Sequence, residues 1–209
     1  MWLRHFTDVI TVLALAPVLP LFAGCASAPP AEYGTALDTE REIPPEIRTQ
    51  FEQAVSIMAA GDLTEAEPRL EEFALQYPAY PGAHVNLAIL HAAEKDDAAA
   101  EASIAKALEL DPVHPAALNQ LGMLRRRQGR FEDAEAAYLK AVTADPEYAL
   151  AHFNLGVLYE LYLQRLESAL QHFERYQALS GEDEQVAKWI VDLRRRVAAS
   201  QRTADTREP

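Results

Sequence analysis

Residues 115–148 read PAALNQLGMLRRRQGRFEDAEAAYLKAVTADPEY. Gly129 divides this stretch into two amphipathic helical segments of about a dozen residues, each too short to be stable alone. Leu121-Gly122 marks the first segment, and Phe131, Ala134, Tyr138 and Ala141 mark the second. Pro146 then ends the second, since proline cannot continue a helix. Small residues such as Gly122 and Ala134 let two helix axes approach closely. Larger ones such as Phe131 and Tyr138 fill the space between neighbours. The stretch reads as a helix–turn–helix that cannot bury its own apolar faces and therefore needs copies of itself on either side.

The copies are present at a period of 34 residues. Pro78, Pro112 and Pro146 keep that interval, as do Leu87, Leu121 and Leu155. So do Ala54, Ala88, Gly122 and Gly156, then Ala66, Ala100 and Ala134, then Leu70, Ile104 and Tyr138. Phe73, Ala107 and Ala141 share one further column, and Gly61 and Gly129 both separate the helical halves of their units. Four units result: 47–80, 81–114, 115–148 and 149–182. A fixed period of this length marks a stacked array whose core runs continuously through neighbours. The pattern resembles the tetratricopeptide repeat (TPR), with its Leu-Gly first helix, Ala-aromatic second helix and closing proline. The resemblance implies an all-α solenoid with capping elements at its ends.

Some positions depart from the pattern. Gln53 stands in the leucine column of the first unit, and Pro68 falls inside its second helix, where a kink is expected. In the fourth unit Ala169 and Phe173 arrive one residue late and no glycine separates the helices, so residues 159–165 are expected to extend the first helix by a partial turn. Ser180-Gly181 ends the last unit. A capping helix is expected over 182–199, with Val186, Trp189, Ile190, Leu193 and Val197 on one face and Arg194, Arg195 and Arg196 suiting its C-terminal dipole. Residues 200–209 are polar and read as a disordered tail.

The N-terminus carries an address. Residues 9–23 form an uncharged apolar run of fifteen, short of the roughly 20 residues needed to span a bilayer, and the pattern is that of a signal peptide over 1–24. The run ends in Leu21-Phe22-Ala23-Gly24-Cys25, which resembles the lipobox of bacterial lipoproteins. That resemblance implies cleavage before Cys25, acylation of Cys25, and, with Ala26 following, sorting to the outer membrane with the folded part on its periplasmic face. Several acyl chains anchor durably where one anchors only marginally. Residues 25–43 then read as a flexible tether with a reach of roughly 25 Å.

The 209 residues carry 32 acids, 19 bases and one cysteine. A lone cysteine makes no internal disulfide and no cysteine-based metal site. A net charge of −13 lacks the basic face that nucleic-acid binding needs. The acidity is uneven: residues 32–101 hold 15 acids and four bases, whereas 102–209 hold 16 and 14. The acidic end can steer a basic partner or simply solubilise.

No phosphate loop, nucleophile elbow or HExxH helix is present. His84 and His152 share a repeat column and His91 follows His84 at helical spacing, but no third ligand is read beside them. No enzyme activity, metal or cofactor is expected. What remains is a binding surface. The family resemblance implies that first helices line a concave face. By position this contains Asn86, Ile89, Asn119, Gln120, Met123, Arg126, Arg127, Leu150, Phe153, Asn154, Val157 and Leu161. Asn side chains can bond a peptide backbone on both sides and Arg126 and Arg127 can hold a carboxylate. Equally, the asparagines can tie neighbouring helices together and Phe153 can be core. The column Val85, Asn119, Phe153 lacks the lysine of the family's carboxylate-clamp subtype, which is not assigned.

The expectation is a membrane-anchored periplasmic scaffold or adaptor that binds a protein or peptide of the cell envelope. The architecture is similar to type IV pilus pilotins, outer-membrane assembly lipoproteins and adaptors of peptidoglycan hydrolases. A peptide- or glycan-binding regulator of a cell-wall enzyme is the alternative.

Overall fold

The computed structural model describes residues 44–205, with side chains through Arg202. The signal segment, Cys25 and the rest of the 25–43 tether lie outside the described residues, as do the last four residues. The described chain is all helical: α1 (Pro45–Ala59), α2 (Leu63–Gln76), α3 (Pro81–Ala93), α4 (Asp97–Leu110), α5 (Pro115–Arg127), α6 (Phe131–Ala144), α7 (Ala149–Leu161), α8 (Leu166–Ser180) and α9 (Glu184–Asp205). None of these helices is long and apolar enough to cross a membrane.

Local chemistry sets most of the boundaries. Proline opens α1, α3 and α5 within their first two positions, where its fixed φ suits a helix and no N–H is needed. Asp62 and Asp96 cap α2 and α4 by accepting from the backbone N–H of Glu65 at 3.0 Å and Ala99 at 2.9 Å. Gly61 and Gly129 turn the chain at φ +89° and +75°, the left-handed region open to glycine. Lys95 fills the same place between α3 and α4 at φ +65°, without glycine's exemption from steric cost.

The helices pack as antiparallel pairs, α1 on α2 through α7 on α8, and each pair packs on the next. Odd-numbered helices also touch across pairs, α1 on α3, α3 on α5 and α5 on α7, whereas no even-numbered helix meets another even one. A stack whose odd helices approach each other and whose even helices do not is curved, with the odd row on the inside.

Within each pair the crossing point matches size against size. Ala54 meets the buried cluster holding Leu70, and Ala88 that holding Ile104. In the last two pairs the small residue is glycine and its partner aromatic. The Tyr138 ring lies directly on Gly122, and a Cβ on Gly156 would stand 2.7 Å from the Phe173 ring. Leu70, Tyr138 and Phe173 are fully buried; a buried side chain of this size contributes about 1.5–3 kcal/mol.

Two ends of helices differ from expectation. Helix α7 stops at Leu161 instead of continuing through 165, and the extra residue of the fourth repeat enters the turn, where Gln164 adopts φ +54°. The final helix starts at Glu184 and runs to Asp205, past the anticipated end at 199. Asp183 fixes its start by accepting from the N–H groups of Gln185 and Val186 at 2.9 and 3.0 Å. Between 198 and 205 no glycine or proline interrupts it, so polarity alone does not end the helix. Val186, Ile190, Leu193 and Val197 of α9 are buried, and Pro68 sits on the exposed side of an unbroken α2.

Candidate binding face

The inner row brings the anticipated residues of α3, α5 and α7 to one side of the stack but does not leave them all open. Asn154 donates from Nδ2 to Oδ1 of Asn119 at 3.0 Å, and both are buried. The bond joins α7 to α5, so this pair ties helices together. Asn86 donates to the Gly82 carbonyl of its own helix at 2.8 Å, and its Oδ1 is buried without a hydrogen-bond partner among the described residues. In the preceding repeat the residue corresponding to Asn119 is Phe51, which offers no donor. None of the three asparagines presents its amide to solvent.

Phe153 also corrects the sequence expectation. It is 6% exposed, with Phe173, Tyr176 and Trp189 around it at ring-centroid distances of 5.9, 5.2 and 6.1 Å. Trp189 belongs to α9, so the chain's own capping helix covers Phe153, which takes the core role and not a place on the open face. Arg127 is likewise engaged: it pairs with Asp97 at 2.5 Å and donates to the Ala92 carbonyl at 3.3 Å, bridging back to the α3–α4 turn.

What stays accessible is a shorter strip on α5 and α7. Gln120, Met123, Arg126, Leu150 and Val157 are half-buried, and Leu161 is 59% exposed. Met123 and Val157 rest on the C-terminal core. Arg126 forms no ion pair with a described residue. Its charge acts on the buried Tyr138 hydroxyl, which has no hydrogen-bond partner among the described residues and whose ionisation burial suppresses strongly. Tyr162, tilted against the Phe131 ring at a centroid distance of 4.7 Å and 44% exposed, extends the apolar edge. The signal for Tyr162 was the late fourth repeat, which leaves this tyrosine in a turn. The strip offers methyl, thioether and aromatic surface beside one unpaired guanidinium, a surface suited to an apolar segment carrying an acid.

Away from the strip, neighbouring repeats are stapled by residues 24 apart. Arg125 reaches Glu101 at 2.7 Å, the Tyr159 hydroxyl donates to Glu135 at 2.8 Å, and His91 lies 3.9 Å from Glu67. Arg125 holds the Glu101 carboxyl below its ordinary range. Burial, then the bond to Glu135, pushes the Tyr159 hydroxyl up to about 12. The three acids occupy one 34-residue column, a signal that was present in the sequence beside the apolar columns.

The histidines are structural in the fourth repeat. Nδ1 of His152 and Nδ1 of His172 share a hydrogen bond at 3.0 Å, and Nε2 of His152 meets the Pro146 carbonyl at 3.2 Å. Burial, then His152, lowers His172 to about 4. His84 and His91 do not combine as ligands. His91 instead meets Glu67 and Glu94; Glu94, three residues beyond it, is the helical-spacing carboxylate that sequence reading passed over.

The tetratricopeptide repeat family model matches residues 51–115 and 119–184. No curated protein sequence matches the chain. PilF of Pseudomonas aeruginosa is similar at 26% identity with a TM-score of 0.64, over 74% of this chain and 72% of that one. TTC0263, a thermophilic TPR protein of Thermus thermophilus, is similar at 18% identity and a TM-score of 0.62, over 73% and 83% of the two chains. The first TPR of Spaghetti (RPAP3), solved bound to the HSP90 peptide SRMEEVD, is similar at 20% identity and a TM-score of 0.51, over 55% and 93%. The last two likenesses are of fold alone. The 34-residue period, the paired helices with odd helices inside, and the family match together establish that this chain belongs to the tetratricopeptide repeat family.

Proposed function

We propose that the protein is a non-catalytic adaptor of the bacterial envelope. Acylated Cys25 anchors it to the outer membrane, the domain stands in the periplasm, and the α5–α7 strip holds a protein or peptide partner. Tetratricopeptide domains bind such partners, which supports the coarse part of this reading. The observation that carries the finer part is the accessible strip of Met123, Arg126, Val157 and Leu161 on the inner row, where a cation unpaired among described residues stands beside apolar side chains. Anchoring rests on Leu21-Phe22-Ala23-Gly24-Cys25.

Two variants test the two parts separately. Cys25→Ser leaves a folded protein that moves from the membrane to the soluble fraction; full retention in the membrane overturns the lipid anchor. Arg126→Glu combined with Val157→Asp leaves the anchor intact and removes the partner that co-purifies with the wild-type chain from envelope extracts. Undiminished recovery of that partner overturns the strip as its site.

A further inference from the structure

The three junction staples are not equivalent. At the second, the Arg125 guanidinium stands between two side chains: it reaches Glu101 at 2.7 Å and donates to Gln128 Oε1 at 2.9 Å. Gln128 also bonds the Glu101 carboxylate, so the three groups close around one fixed positive charge. The same three repeat columns at the first junction hold Glu67, His91 and Glu94. Here the centre is an imidazole and both outer groups are carboxylates.

Their donor atoms all lie within 4.8 Å of one another. The imidazole nitrogen is 3.9 Å from Glu67, too far for a direct hydrogen bond. The Glu94 carboxylate makes no hydrogen bond or ion pair with another described residue. Arg127, which reaches this turn from α5, is bonded to Asp97 and the Ala92 carbonyl. Two carboxylates thus converge on a histidine at the place where the next junction carries a cation of its own.

We propose that Glu67, His91 and Glu94 form a divalent metal site of the zinc class, which clamps α2 to α3. One imidazole nitrogen and one oxygen from each carboxylate bind the ion, and water completes the shell. Mixed imidazole and carboxylate donors suit borderline ions over calcium or magnesium. Zinc takes both donor types at about 2.0–2.2 Å, so the three groups close together by rotamer adjustment. Glu94 is exposed and the Glu67 side chain is 36% exposed, which leaves both free to make that adjustment. The ion's two positive charges balance the two carboxylates, as the guanidinium balances Glu101 at the second junction.

Calorimetric titration of the purified chain with zinc chloride tests this. The chain carries no histidine tag and is first stripped with EDTA. The expected result is one saturable site per chain and a melting temperature that rises with zinc concentration. Glu94→Gln, at an exposed position, and His91→Ala each weaken uptake on the order of tenfold or more, with melting in EDTA like that of wild type for Glu94→Gln. His172→Ala, which removes the other histidine pair, leaves the site unchanged. Absence of saturable uptake, uptake unaffected by Glu94→Gln, or calcium binding as tightly as zinc overturns the proposal.

Discussion

The first two repeats and the last two solve the same packing problem with different residues. In the first half alanine shares its buried cluster with an aliphatic side chain, Ala54 with Leu70 and Ala88 with Ile104. In the second half the crossing point pairs glycine with an aromatic ring, Gly122 with Tyr138 and Gly156 with Phe173. The volume at the crossing is thus shared out differently while the helices keep the same order and pairing. The halves also differ in charge and ends. The first is strongly acidic and the second nearly balanced; the polar Gln53 is exposed on α1, whereas an apolar face of α9 covers the last repeat. Repeat columns are thus kept as sums over contacting positions, a smaller residue in one column being matched by a larger one in the other.

The largest expected effect comes from moving the alanine solution into the glycine half. Gly156→Ala destabilises the chain by about 2 kcal/mol in urea unfolding, because the new methyl overlaps the Phe173 ring by more than the helix gains in propensity. Adding Phe173→Leu restores part of that loss, and the double-mutant cycle reports the coupling. An additive cycle would break the size-matching account.

The next effect is a pH dependence centred on the second half. The folded pKa of His172 lies near 4, below the value of about 6.5 expected in the unfolded chain. The unfolded state therefore binds the proton first. The contribution of neutral His172 is complete above pH 6.5 and is lost as pH falls toward 4. The loss is on the order of 1 kcal/mol after solvent screening. His172→Phe flattens that part of the thermal-stability profile relative to wild type, and an unchanged slope would place the proton uptake elsewhere.

Smaller effects follow at the junctions and turns. Breaking the second staple with Glu101→Gln costs at most about 1 kcal/mol, the range of exposed and half-exposed ion pairs, and the cost shrinks in high salt. Lys95→Gly relieves a left-handed residue but adds conformational entropy to the unfolded chain. The net gain is about 0.5 kcal/mol, read as a rise in Tm; the same change at a right-handed position such as Ala92 lowers it.

Most of the fold was legible because the 34-residue period repeats columns at fixed spacing, and each column has one packing role. The register shift in the fourth repeat was legible from Ala169 and Phe173, but its structural outcome was not. An extra residue can lengthen a helix or a turn, and Gln164 in the left-handed region settles it as a turn. The candidate site was legible only as a row of positions. Whether Phe153 is open depends on Trp189 of α9, 36 residues away, and whether Arg127 is available depends on Asp97 in an earlier repeat. Both are pairings between repeats that no single column contains. The Glu67, Glu101 and Glu135 column was in view, but its partners lie 24 residues on and differ at each junction.

The proposed function assigns partner binding to the inner strip of the second half. A photocrosslinking amino acid placed in turn at Gly82, Ile89, Met123, Val157 and Leu161 of the inner row, and at the exposed Leu75 and Leu139 of even helices, measures this directly in intact cells. The expected result is one reproducible protein adduct from Met123, Val157 and Leu161, lost when Arg126 is changed to Glu, with none from Leu75 or Leu139. The same adduct from the even helices, or from Gly82 and Ile89 alone, would contradict it.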